Sequence, residues 1–134
     1  MTLAGTKSGG DTIESFSESF TASSIADEIN REITVPTSLT TVLTLGAVAA
    51  AGLASLTGLI IWNVGPTNFV RIGLLDTSAK SAYFKIPAGR CFVLFNDDFD
   101  VDDDSGAVFG SFNDIDTINA IADTAACVVK VRAF

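Results

Sequence analysis

Apolar and polar residues alternate with period two along much of this chain. In "SLTTVLTL" (38–45), Leu39, Thr41, Leu43 and Leu45 fall on one face, with Thr40, Val42 and Thr44 on the other. That pattern predicts a strand, which Gly46 ends. "SESFTAS" (17–23) alternates weakly, and "ADEINREITV" (26–35) predicts one helical turn before a short strand in which Ile33 and Val35 share a face. "AVAAAGLASLTG" (47–58) fits either a short helix or an irregular strand, because Gly52 and Gly58 bracket its alanines. "LIIWNV" (59–64) reads as a buried strand with Trp62 in the core. "GPTN" (65–68) then predicts a hairpin turn into "FVRIGLL" (69–75), where Val70, Ile72 and Leu74 oppose Phe69, Arg71 and Gly73.

"AYFKIP" is the next strand, and "PAG" (87–89) supplies a tight turn into "RCFVLFN", with Cys91, Val93 and Phe95 on one face. "GAVFGSF" and "INAIADTAA" follow an acidic loop, and Ile118 and Ala120 oppose Asn119 and Ile121. "ACVVKVRAF" closes the chain with Cys127, Val129, Val131 and Ala133 on one face and Lys130 and Arg132 on the other. Eight or nine short strands separated by Gly, Pro and Asn turns predict an all-β fold, an antiparallel jelly-roll-like β-sandwich. Residues 1–15, rich in Gly, Ser and Thr, read as a flexible arm, and 16–134 as one sandwich domain.

At 134 residues and 48% hydrophobic, the chain is long enough to bury a core as one domain. Sixteen acids against eight bases give a formal charge of -8, and the bases are scattered. No basic stripe exists to neutralise phosphates, so neither nucleic acid nor an anionic membrane is an expected partner. The uncharged stretch from Pro36 to Pro66 is long enough to cross a bilayer. Its threonines, serines and glycines, and the lack of basic flanks, argue against a membrane helix. The first twenty residues lack the apolar run of a secretory signal.

Histidine is absent, which removes His-based acid–base chemistry, His-activated nucleophiles and most zinc sites. Cys91 and Cys127 sit in apolar runs and read as two buried free thiols, with a disulfide between their strands as the alternative. "GTKSGG" (5–10) lacks the order of a phosphate loop. One tryptophan and one tyrosine, Trp62 and Tyr83, are few for a sugar platform.

"NDDFDVDDDSG" (96–106) packs six aspartates into the eight residues 97–104. Counted from Asp100 as an EF-hand loop, Asp100, Asp102 and Asp104 fit the first, third and fifth positions. The sixth position is Ser105 rather than glycine, the twelfth is Ser111 rather than glutamate, and no flanking helices are evident. The loop therefore reads first as a solvated connection, next as a contact patch for a basic surface, and last as a looser calcium site on Asp100, Asp102 and Asp104. Phe99 and Val101, set among the aspartates, favour something packing there. Asp114, Asp116 and Asp123 are the carboxylates that glycoside hydrolysis would need, but spacing without a cleft gives no catalytic assignment. No enzymatic site and no cofactor are expected.

The stretch "TTVLTLG…LIIWNVGPTNFVRIG…FKIPAGRCFVLF", with the closing "INAIADTAACVVKVRAF", resembles small β-sandwich structural proteins of tailed bacteriophages. The resemblance covers roughly residues 38–134, and the aspartate-rich loop is an elaboration on its usual pattern. It implies a virion structural protein, most directly a capsid decoration or cement protein that staples neighbouring capsid subunits. A tail, neck or fibre component is the alternative within that class, and a calcium- or glycan-binding sandwich module the alternative outside it. The implied partners are the major capsid protein or other virion proteins, and further copies of the chain, with a trimer favoured. The implied place is the capsid exterior, after synthesis in the host cytoplasm. Asn63, Gly65, Asn68, Gly73, Pro87 and Gly89 would form turns, and no catalytic residue carries over. Thr6, Ile13, Phe16 and Phe20 on the arm side, with Phe99 and Val101 in the acidic loop, are the interface candidates.

Overall fold

The computed structural model describes residues 28–46, 53, 56–77, 81–95, 100–101 and 113–134. Among the described residues nine strands run in chain order: β1 (Ile29–Val35), β2 (Thr40–Thr44), β3 (Gly58–Asn63), β4 (Val70–Asp76), β5 (Ser81–Ile86), β6 (Cys91–Phe95), β7 (Asp100–Val101), β8 (Asn113–Ala122) and β9 (Cys127–Ala133). They form two antiparallel sheets, ordered β1-β9-β3-β6 and β2-β8-β4-β5, with the short β7 pairing the start of β8. Setting β7 aside, first pairs with last (β1 with β9), then β2 with β8, β3 with β6, and β4 with β5. The chain is thus one long hairpin rolled up, with alternate pairs falling into alternate sheets. That winding is the jelly roll.

Period-two patterning builds the core between the sheets. Val129, Val131 and Ala133 of β9 and Leu59 and Ile61 of β3 are buried against Val70, Ile72 and Leu74 of β4 and Ile118 and Ala120 of β8. Phe84 of β5 and Phe92 of β6 meet with ring centroids 4.9 Å apart and link the sheets along one side. On the other side the Arg31 guanidinium of β1 donates to the Val42 carbonyl of β2.

Six local expectations are corrected. The helical turn before "REITV" does not extend into the described residues, since Ile29 and Asn30 already pair with Ala133 and Arg132 as strand. In β2 strict alternation breaks: a bulge between Thr41 and Leu43 turns both Val42 and Leu43 inward, and Leu39 is left 61% exposed. "GPTN" is not a hairpin turn. β3 and β4 lie in different sheets, and Gly65–Asn68 carries the chain across the sandwich. Of the expected turn formers, Gly73 lies inside β4 and Asn63 ends β3. The "PAG" turn is as expected: Arg90 N–H bonds the Pro87 carbonyl at 3.1 Å, and Gly89 has a φ of 69°. The arm (1–15) and "SESFTAS" lie outside the described residues.

Trp62 is the fifth correction. It is 47% exposed, because Leu59, Ile61 and Asn63 take the inward parity of β3. Cys91 is the sixth. It is exposed, because Phe92 and Leu94 are the residues of β6 packed on the core. Cys127 is buried, and both thiols are free.

Candidate functional site

Outward parity gives each sheet a surface of its own. On the β1-β9-β3-β6 sheet, the register aligns Glu32, Lys130, Trp62 and Cys91 across all four strands. Lys130 Nζ lies 5.9 Å from the Trp62 ring centroid and 4.0 Å from the Glu32 carboxylate. One pair along, Arg132 Nε donates to Glu28 Oε1 at 2.6 Å. Each cation of this face has an acidic partner, and exposed pairs of this kind contribute little stability. Beyond them, Phe134 stacks on Phe95 with centroids 5.8 Å apart. The ring lies so close to Gly58 that an added Cβ would sit 2.4 Å from it.

The β2-β8-β4-β5 sheet presents Arg71 and Lys85, directly opposite each other on β4 and β5. Arg71 Cζ lies 5.1 Å from the centroid of Tyr83, and Lys85 Nζ lies 4.2 Å from that of Phe69. Tyr83 is 55% exposed and lies over Gly73, where a Cβ would come within 2.8 Å of Cε1. Glycine at 73 is what lets the ring lie down on the sheet.

At one end of the sandwich the crossings are stitched by buried amides. Asn63, fully buried, donates through Nδ2 to the carbonyls of Asn68 (2.8 Å) and Ile86 (3.2 Å), and its Oδ1 accepts from Gly65 N–H at 3.0 Å. Asn68 reaches on to the β8–β9 turn, donating to the Ala125 carbonyl and accepting from the Thr124 hydroxyl. An open groove of about 480 Å³ lies beside this end, between Val64–Asn68 and Ala126–Val128, with Glu32 and Lys130 at its rim. Burial, and then the charge of Asp123, push the Cys127 thiol above its ordinary value. A thiol raised in this way is a packing group rather than a nucleophile.

Thr6, Ile13, Phe16, Phe20 and Phe99 lie outside the described residues, as do Asp97, Asp98, Asp102, Asp103 and Asp104. Asp100 and Val101 form β7, opposite Asp114 and Asn113. Among the described residues no group of three or more potential metal ligands comes together. Asp114 and Asp123 are exposed at the two ends of β8, and Asp116 is half-buried near its start, its carbonyl accepting from Leu45 N–H at 2.7 Å. At about 3.3 Å per residue, Asp123 stands more than 20 Å along the strand from either of the others. Carboxyl pairs in glycosidases stand roughly 5–9.5 Å apart, so Asp123 pairs with neither, while Asp114 and Asp116 are neighbours two residues apart on one strand.

The surface residues that sequence reasoning missed are Trp62, Tyr83, Arg71 and Lys85. The signal for Trp62 was its parity with Ile60, but both parities of "LIIWNV" are apolar. Comparison of the chain with protein-family models, with curated proteins and with solved structures found no match. No helix among the described residues is long and apolar enough to cross a membrane.

Proposed function

We propose that this chain is a non-enzymatic structural protein of a tailed-bacteriophage virion, a decoration or cement protein that staples neighbouring subunits. The observation that carries this reading is the position of its sole tryptophan and sole tyrosine. Trp62 and Tyr83 are 47% and 55% exposed, on the outer faces of opposite sheets. Large aromatics with a cation beside them are the residue types enriched in protein interfaces. A sandwich with such a residue on each outer face can hold two neighbours at once, which is what a staple must do. Jelly rolls are a common architecture for virion components, and the sequence resemblance points the same way. The neighbours would be the major capsid protein and further copies of the chain, a trimer being the favoured assembly. An acidic chain suits the capsid exterior, away from packaged DNA.

The test is to add purified protein to capsids of the encoding phage assembled without it. Stoichiometric binding with a raised disruption temperature is expected, and Trp62→Ala or Tyr83→Ala should weaken it. Absence from purified virions would overturn the virion reading. Presence only in detached tails would favour the tail, neck or fibre alternative. The same two exposed rings favour one second reading, a glycan-binding module, since sugars stack on aromatic faces. Binding to a glycan array that is lost in Trp62→Ala would support it.

A further inference from the structure

We propose that the face centred on Arg71, Lys85 and Tyr83 binds the acidic segment Asp97–Asp104 of a second copy of this chain. Like charges directly opposite on neighbouring strands repel, and Arg71 and Lys85 are such a pair. Among the described residues neither has a carboxylate within 4.0 Å, although the chain has 16 acids for 8 bases. The other sheet does the opposite, matching Lys130 with Glu32 and Arg132 with Glu28. What Arg71 and Lys85 touch instead are the rings of Tyr83 and Phe69. A ring holds a cation in place yet leaves N–H donors for a carboxylate. Two fixed, outward cations beside an exposed tyrosine make a site for an acidic segment that also carries apolar side chains.

Charge complementarity identifies the occupant. Residues 97–104 hold six aspartates, with Phe99 and Val101 between them. Carboxylates this dense repel one another until something cationic neutralises them. Within one molecule the described strands set β7 well apart from that face. Asp100 pairs with Asp114, whereas the β8 residue opposite Arg71 is Ile121, seven residues further along. That is roughly 23 Å at about 3.3 Å per residue. The aspartates of the run lie within three residues of β7, a reach of roughly 10 Å. A second copy has no such tether. The contact joins unlike surfaces of two copies, so it propagates until a ring closes. It does not depend on the virion reading, and it leaves the Trp62 face for other neighbours.

The test uses a labelled peptide, NDDFDVDDDSG (residues 96–106), titrated into the full chain and followed by anisotropy. Saturable binding is expected, weakened at least tenfold in the double variant R71Q/K85Q and weakened by added salt. Sedimentation should show mass rising with concentration in the wild type and not in the double variant. Should R71Q/K85Q fail to fold, Lys85→Gln and Tyr83→Ala read the same contact singly. No peptide binding at low salt, or equal binding to the variants, would overturn the proposal. So would a sulfated oligosaccharide that binds this face while the peptide does not.

Discussion

The buried Nδ2 of Asn63 donates to the backbone carbonyl of Asn68 at 2.8 Å, tying the last residue of β3 to the loop that feeds β4. The same side chain accepts from Gly65 N–H and donates to the Ile86 carbonyl beside the "PAG" turn. One amide thus fixes two crossings between the sheets. No apolar residue of that size could supply both donor and acceptor.

Asn63→Leu keeps the branching and heavy-atom count of the side chain but leaves Gly65 N–H and two carbonyls without this partner. Buried groups left unpaired cost about 1–3 kcal/mol each. A loss of roughly 2–5 kcal/mol in urea unfolding is expected. A loss below about 1 kcal/mol would mean that water replaces the amide.

Adjacent residues of β3 should behave in opposite ways. Ile61 is fully buried, so Ile61→Ala should cost about 2–5 kcal/mol. Trp62, 47% exposed, should cost about 1 kcal/mol or less when changed to alanine. Its fluorescence should be solvent-relaxed and readily quenched by iodide. A blue-shifted, shielded emission would contradict the outward placement of the ring.

The two thiols should separate cleanly. Cys91 is exposed and Cys127 is 3% exposed, so an aromatic disulfide reagent should modify one cysteine at once and the other only on unfolding. Burial raises the Cys127 thiol above its unfolded value, with Asp123 adding to the effect. Its contribution is therefore fully present below the ordinary thiol pKa and lost as pH rises through the raised one. The stability gap between wild type and Cys127→Ala should narrow in unfolding curves taken from neutral to alkaline pH.

Gly58→Val tests the close approach of Phe134. Any Cβ meets the ring at 2.4 Å; paired backbone bonds hold the Phe134 main chain against Gly58, and the ring packs, tilted, against Phe95. A loss of about 1–3 kcal/mol is expected in thermal unfolding. Gly73→Ala should cost less, because Tyr83 is exposed and can swing aside.

Period-two patterning by itself determined most of the described strands, the all-β class and much of the core; β7, inside the acidic loop, it did not. Val70, Ile72 and Leu74, and Val129, Val131 and Ala133, lie buried where alternation placed them. Local patterning works there because one face of each strand must leave water. Tertiary structure alone decided the rest. "LIIWNV" is apolar on both parities, so only its pairing with β6 and β9 settled that Ile61 faces in and Trp62 out. "GPTN" carries a turn signal, but whether the next strand returns to the same sheet or crosses to the other depends on partners far along the chain. Arg71 and Lys85 lie fourteen residues apart in sequence and directly opposite in the sheet. A cation pair of that kind exists only once the β4–β5 register is set, because pairing, not composition, fixes which charges meet.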